Sequence, residues 1–319
     1  MSYLNAIHLH DERAAYAFVE ARVWPNGRVC PHCGVVGESS AMKGKSTRIG
    51  AYKCYACRKP FTVKIGTIFE SSHVPLHLWL QAIFLIASSK KGISSNQLHR
   101  TLGVTLKTAW FMSHRIREAM KANGGDPLGG KGKIVEADET YYGKPAEAKP
   151  VPRLGNLRNK RLNRRNDRPI VSLVERGGKV RSFHVKDATK ENVSRIVMEN
   201  VARESRLHTD ESRLYTGAEE AFATHETVKH SAKEYARGDV NTNSVEGFFS
   251  VFKRGMRGTY QHCAEKHLHR YLAEFDFRFN NRTALGVYDD LRTEQLVQSV
   301  VGKRLTYQTT NRGAGLAGA

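Results

Sequence analysis

The sequence predicts a multidomain α/β protein: a small cysteine-built module, a helical region, and a larger domain of mixed strands and helices. Three observations carry this prediction. The chain has 319 residues, long enough for more than one domain, and 40% of them are hydrophobic, ample for packed cores. Four of the five cysteines stand as two C-x-x-C pairs near the N-terminus. Beyond a Gly- and Pro-rich stretch, Asn123 to Gly130, segments with strand periodicity alternate with segments of helical periodicity.

Charge and hydropathy restrict the partners. The formal net charge is +20, from 51 Lys+Arg against 31 Asp+Glu. Such an excess favours a polyanion, because Lys and Arg that neutralise phosphates drive sequence-independent nucleic-acid affinity. Anionic membranes attract the same charge, but no segment spans a bilayer: the most apolar run, Leu78 to Ala87, is too short and reads as a buried helix. Residues Met1 to Asn26 mix charged with apolar side chains and lack the apolar core of a signal peptide. A cytoplasmic protein without a membrane partner is expected, and there structural disulfides are rare.

The cysteines therefore need another role. Cys30-Pro-His-Cys33 and Cys54-Tyr-Ala-Cys57 each turn two sulfurs toward one centre, and tetrahedral Zn2+ takes four. Gly34 supplies the permissive residue that a tight knuckle needs. The intervening segment has turn residues and short strands but little core, so the module depends on metal to fold. Four unrelated buried thiols, or a thioredoxin-like redox pair, are the alternatives, but two such pairs at this separation match a four-thiolate zinc site. His32 is surplus to a four-sulfur site, and Cys263 reads as an ordinary small residue. Residues 1–70 are thus a zinc ribbon preceded by a short helix.

Residues 71–123 are helical. After Pro75, Leu76, Trp79, Leu80, Ile83, Phe84 and Ile86 recur at helical spacing. Ser94 or Ser95 can cap a short helix, Gly103 ends it, and Thr105 can cap a second whose inner side holds Ala109, Phe111, Met112, Ile116 and Met120. Helix, glycine turn, helix is the helix-turn-helix pattern, although ordinary helical hairpins share it. On the second helix Lys107, Thr108, Arg115 and Arg117 are candidate DNA contacts.

The larger domain, residues 131–285, opens with a short strand from Lys133 that ends at Asp138. Residues 144–168 form a basic loop in which Arg161, Arg164 and Arg165 are candidate phosphate contacts. Pro169 to Glu175 and Lys179 to Val185 pair as a hairpin through Arg176-Gly177-Gly178. Then come a helix (Thr189 to Arg203), a strand ending at Asp210, a short helix (Gly217 to Thr224), a strand (Glu226 to His230), and helices Asn243 to Arg254 and Ala264 to Asn281. Residues 286–319 read as a C-terminal tail. Three strands, helix, strand, helix, strand, helix is the order of a ribonuclease H-like mixed α/β domain. That fold would place metal ligands at Asp138, at Asp210 and at Glu246 on the helix after the fifth strand.

Carboxylates brought together this way suit two Mg2+ or Mn2+ ions, which take hard oxygen ligands and stabilise both attacking and leaving oxygens in phosphoryl transfer. Neighbouring acids compete with each choice. Strand alternation puts Glu139 on the face opposite Asp138, but Glu136 shares that face and alternation does not exclude it. Glu211 adjoins Asp210, which is favoured by its position at the strand end. Glu246 and Lys253 lie two turns apart on one helix face, where they could simply form a surface pair.

Taken together, these motifs resemble a known family. The carriers are Cys30-Pro-His-Cys33-Gly34 with Tyr52-Lys53-Cys54-Tyr55-Ala56-Cys57, Val135-Glu136-Ala137-Asp138-Glu139-Thr140-Tyr141, the run from Asn241 through Glu246 to Arg254, and His267-Leu268-His269-Arg270-Tyr271. From about Arg22 to Arg282 the chain is similar to bacterial insertion-sequence transposases with an N-terminal zinc ribbon and an Asp-Asp-Glu (DDE) domain. The resemblance implies Asp138, Asp210 and Glu246 as catalytic magnesium ligands, with Lys253 on a phosphate and Arg254 beside it on DNA. It implies a structural zinc, two catalytic ions, double-stranded DNA (element ends and target) as partner, and a homo-oligomer in the DNA complex. The implied reaction is strand cleavage and strand transfer. A DNA-binding regulator built on the same N-terminal modules, or a nuclease that does not transpose, are the alternatives.

Overall fold

The computed structural model describes residues 3–122, 124–143, 168–232, 234 and 236–306. Two compact units form: Met1–Ser89 with Ile93–Met120 and Tyr288–Ala319, and Lys90–Gly92 with Lys121–Val287.

In the first unit, helix α1 (Glu12–Val23) begins at Asp11, whose Oδ1 accepts the Ala14 N–H at 2.7 Å. Three short antiparallel strands follow, β1 (Ser39–Ala41), β2 (Tyr52–Cys54) and β3 (Pro60–Phe61), in the order β1-β2-β3. Helix α2 (Leu76–Ser88) buries Leu76, Trp79, Leu80, Ile83 and Ile86, as its periodicity requires. Helix α3 (Ser95–Leu102) is capped by Ser94, and Gly103, at φ 66°, ends it in the left-handed region that glycine adopts without strain. Helix α4 (Leu106–Met120) starts at Thr105, whose hydroxyl accepts the Thr108 N–H at 3.2 Å.

Two expectations fail here. The C-terminal segment is not simply a tail: it contains a helix (Asp289–Gln298) that packs against α2, with Arg292 donating to the Ala87 carbonyl at 3.1 Å and Glu294 paired with Arg22 at 2.7 Å. Arg115 and Arg117 are internal, not DNA-facing. Arg115 is 7% exposed and Arg117 1%. Arg115 donates to the carbonyls of Ile68 (2.8 Å), Glu70 (2.7 Å) and Leu305 (3.1 Å), and its guanidinium lies 4.6 Å from the Phe111 ring centroid. Arg117 donates to the Ser113 hydroxyl at 3.0 Å. The face of α4 that carries them is covered by chain from distant positions, which spacing along one helix does not reveal. Arg115→Ala is therefore expected to destabilise the first unit by about 3 kcal/mol, because three carbonyls lose a charged donor. Thermal melting checks this; an unchanged Tm would show that the arginine does not hold these segments together.

The second unit is built on a five-stranded mixed sheet among the described residues, in the order β6-β5-β4-β7-β8. Its strands are β4 (Ile134–Tyr142), β5 (Arg168–Glu175), β6 (Val180–His184), β7 (Arg206–Asp210) and β8 (Thr224–Val228). β5 runs antiparallel to both of its neighbours, β4 and β6, while β4, β7 and β8 run parallel. Both faces are covered. Val135, Ala137, Val171, Leu173 and Leu207 pack against Val193, Ile196 and Val197 of α5 (Lys190–Asn200). On the other face Ile170, Val174 and Val180 meet Val245, Phe248, Phe249 and Phe252 of α6 (Asn243–Gly255) and Leu272 and Phe275 of α7 (Leu268–Asn280). Gly255 permits close approach: a Cβ there would lie 2.5 Å from the Phe275 side chain and 2.7 Å from the Lys91 carbonyl oxygen. β4 is longer than expected and Asp138 lies in its middle, since β5 continues the ladder to Tyr142 opposite Arg168.

Candidate metal and catalytic sites

The four predicted thiols come together. Cys30, Cys33, Cys54 and Cys57 hold their sulfurs within 4.8 Å of one another. The Cys30–Cys57 separation is 3.6 Å and the Cys33–Cys54 separation 3.7 Å. A zinc tetrahedron with Zn–S of about 2.3 Å has S···S edges of about 3.8 Å, whereas a disulfide would require about 2.05 Å. The donor set and its spacing therefore fit zinc. Desolvation raises the Cys30 thiol, but the N–H groups of His32 and Cys33, then the neighbouring thiols, outweigh it and lower it, while contacts with Cys30, Cys54 and Cys57 raise Cys33, so the sulfurs titrate as a group. The module's own core is small, Cys30, Cys54 and Phe61 with Trp24, Tyr52, Cys57 and Ile65 around them. His32 is exposed, 3.3 Å from the Pro60 carbonyl, and outside the sulfur set.

Two of the predicted acids lie on neighbouring inner strands, Asp138 within β4 and Asp210 at the end of β7, and the charges of Asp210 and Glu246 both act on Asp138. The register that aligns Ile134 with Arg206 and Glu136 with His208 leads, two residues on, to Asp138 and Asp210, so both side chains belong to one face. That is the face on which α6 packs. Glu246 lies in the first turn of α6, its Oε1 accepting the Thr242 hydroxyl at 3.2 Å. The carboxyl ends of parallel strands, with a helix start beside them, are a recurrent location for ligands in open α/β sheets.

Electrostatics links the three. Burial raises the Asp138 carboxyl, the charges of Glu139, Asp210 and Glu246 raise it further against the Glu139 N–H, and its pKa reaches about 8. Burial raises Asp210 as well; the Ser212 N–H and His230 oppose this and Glu211 adds to it. Like charges gathered in a desolvated place favour protonation unless a cation offsets them. The acids are spread more widely than the thiols: among the described residues only the four cysteines place three or more ligand atoms all within 4.8 Å of one another.

The competing acids are spoken for. Glu139 accepts the Tyr215 hydroxyl at 3.0 Å and lies 3.4 Å from that of Ser212, on the α5 face that alternation assigns it. Glu211 is exposed and accepts the Ser231 N–H (2.9 Å) and hydroxyl (2.8 Å), which hold its carboxyl below the usual range. Glu136 does share the face of Asp138, but it is fully buried and bonded to Arg176 and to the start of α6. His230 was not singled out from the sequence. It lies just past the end of β8, with Nε2 3.8 Å from Glu246 Oε1, and it acts on Asp210. Only its position after a parallel strand could have pointed to it.

Among the other predicted contacts, Lys253 is half-buried, two turns along α6 from Glu246. Arg254 is exposed, its Nε donating to the Ser250 carbonyl at 3.2 Å. Lys107 is exposed and Thr108 half-buried, both in the first turn of α4. Arg161, Arg164 and Arg165 lie outside the described residues.

Comparison with known proteins decides the family. The sequence profile of the ISXO2-like transposase domain matches residues 127–280, and that of the transposase zinc-ribbon domain matches residues 10–60. The chain belongs to the insertion-sequence transposases with an N-terminal zinc ribbon. A relative from Halobacterium salinarum, named as an uncharacterized protein in transposable element ISH50, is 28% identical over 275 residues, covering 84% of this chain and 90% of its own. The span matched by the transposase profile includes Asp138, Asp210 and Glu246, and that matched by the ribbon profile includes all four clustered cysteines. No helix among the described residues of this transposase is long and apolar enough to cross a membrane.

Proposed function

We propose that this transposase binds the ends of its insertion sequence and performs metal-dependent DNA cleavage and strand transfer with Asp138, Asp210 and Glu246. The observation that carries this reading is geometric: Asp138 and Asp210 share the sheet face on which α6 packs, with Glu246 in the first turn of α6, and burial, then the charges of Glu139, Asp210 and Glu246, raise the Asp138 carboxyl to about 8. Hard carboxylate oxygens suit Mg2+ or Mn2+, and two such ions, once bound, would activate a water or a 3′-OH and stabilise the leaving oxygen. The order of strands and helices is that of a ribonuclease H-like catalytic domain at 131–285.

The chain's own groups have separable tasks. The three acids would hold the cations, which would supply charge to orient the phosphodiester. Lys253, on the face of α6 that carries Glu246, binds a phosphate beside the reacting bond, and Arg254 extends that contact. The zinc ribbon and the α3–α4 helix-turn-helix bind the element ends, with Lys107 and Thr108 at the start of α4 replacing the internal Arg115 and Arg117 as the DNA-facing groups. A homo-oligomer on paired ends, acting in the cytoplasm, completes the proposal.

Purified zinc-loaded protein, incubated with Mg2+, a duplex carrying an element end and a second duplex as target, is expected to free a 3′-OH at the end and join it to the target. End DNA that is bound but never cut would make the protein a regulator. Ends that are cut but never joined would make it a nuclease.

A further inference from the structure

We propose that Glu136 and Arg176 form a clamp that fixes the start of α6, and through it Glu246, so that two residues outside the metal's ligand set govern metal affinity. The inference rests on the acid triad being the metal site.

Glu136 is 0% exposed, and a buried carboxylate is costly unless it is both paired and fully bonded. Here it is. One oxygen lies 2.9 Å from Arg176 Nε, 2.8 Å from Arg176 Nη2 and 2.9 Å from the Ser244 hydroxyl; the other accepts the Ser244 N–H at 2.7 Å and the Val245 N–H at 3.1 Å. With these donors on both oxygens, Glu136 has little capacity left for a cation. It acts instead as the cap of α6. The residue at the ordinary capping position, Thr242, makes no cap bond, and its hydroxyl donates to Glu246. The Asn243 N–H is held locally by the Asn241 side chain, but those of Ser244 and Val245 are satisfied from a strand remote in sequence.

Arg176 extends the clamp. Beyond Glu136 it donates to the carbonyls of Asp239 (2.8 Å) and Asn241 (3.2 Å) and to the Asn241 side-chain oxygen (3.1 Å). The segment that enters α6 is thereby tied to the turn after β5. Glu136 is two residues before Asp138 on one face of β4, and Val245 is the residue before Glu246. The clamp therefore joins the two elements that carry Asp138 and Glu246 at positions next to those ligands. Its removal frees α6 to shift relative to β4 and spreads the two carboxylates.

The test is Mn2+ binding to the zinc-loaded full-length protein, followed by the electron paramagnetic resonance of free Mn2+, with Tm measured in parallel. Glu136→Gln keeps an acceptor for the helix N–H groups but removes the charge that Arg176 needs. Arg176→Lys keeps the charge but cannot span Glu136, Asp239 and Asn241 together. Each is expected to weaken Mn2+ binding about tenfold or more, and higher Mg2+ should recover part of the lost cleavage. Glu274→Gln breaks a comparable buried pair with Arg278 in the same unit, away from the acids. It should lower Tm without changing Mn2+ affinity. If either clamp variant does not fold, Ser244→Ala removes a single bond to Glu136 and should weaken Mn2+ binding about threefold. Wild-type affinity in the folded clamp variants, or an equal loss in Glu274→Gln, overturns the proposal. Retained affinity in Asp138→Asn would instead refute the acid triad as the metal site, and the clamp with it.

Discussion

Asp210→Asn is expected to abolish cleavage of element-end DNA while leaving DNA binding nearly intact. The substitution preserves size and hydrogen-bonding capacity; the Ser212 N–H, 3.0 Å from Oδ1, still finds an oxygen. What it removes is the negative charge that would hold a divalent cation beside Asp138. If the metal supplies the activation that the proposed chemistry requires, the rate falls by roughly a thousandfold or more, about 4 kcal/mol of transition-state stabilisation. Binding depends on Lys and Arg elsewhere and loses nothing, because an acid facing phosphate contributes no attraction. Asp138→Asn and Glu246→Gln are expected to behave alike. Glu211→Gln and Glu139→Gln form the contrast, since their carboxylates are engaged by Ser231 and by Tyr215, and both should cleave at close to the wild-type rate. Gel-shift and cleavage assays on one end duplex read both quantities. Wild-type cleavage by Asp210→Asn would remove this acid from the metal site.

Cys54→Ser is expected to unfold the zinc ribbon and weaken end binding about tenfold or more, while the second unit keeps its own cooperative melting. Cys54 is fully buried and supplies one of the four sulfurs. The ribbon's strands are two or three residues long and its core is few side chains, too little to offset the conformational entropy of ordering it. Zinc supplies the difference, with binding free energies of about 10–16 kcal/mol in comparable small modules. Strong chelators should reproduce the phenotype in the wild type. Metal analysis of protein purified without chelator should find about one zinc per chain, falling sharply in the variant. No bound zinc in the wild type would refute the site.

What was legible in the sequence was mostly local or periodic. Two C-x-x-C turns announce a tetrahedral site because each pair fixes two sulfurs within a single turn. Most of the element order in the second unit could be read because β5 is a nearly continuous apolar run and the longer helices keep helical spacing, whereas the helix expected at Gly217 to Thr224 is only a three-residue turn, Ala218–Glu220, before β8. Alternation alone does not separate the acids: Glu136 and Asp138 share a face, and only the folded chain brings Arg176 and the Ser244 N–H to Glu136. β4 outruns its apolar stretch because β5 pairs with it as far as Tyr142, past the polar Glu139 and Thr140 that resemble a strand end. Arg115 and Arg117 resembled a phosphate-binding face because one helix considered alone gives no sign of what will cover it. The same blindness hid the C-terminal helix, only two of whose three apolar residues, Leu296 and Val297, are buried in the first unit.

The central claim, that Asp138, Asp210 and Glu246 together form the metal centre, is tested most directly by anomalous scattering from Mn2+ in crystals of the zinc-loaded protein bound to element-end DNA. The expected result is manganese density ligated by oxygens of all three carboxylates, at roughly the 2.1 Å typical of such hard cations, and lost in Asp210→Asn. Manganese held instead by Glu136, Glu139 or Glu211, or found only away from these strands, would contradict it.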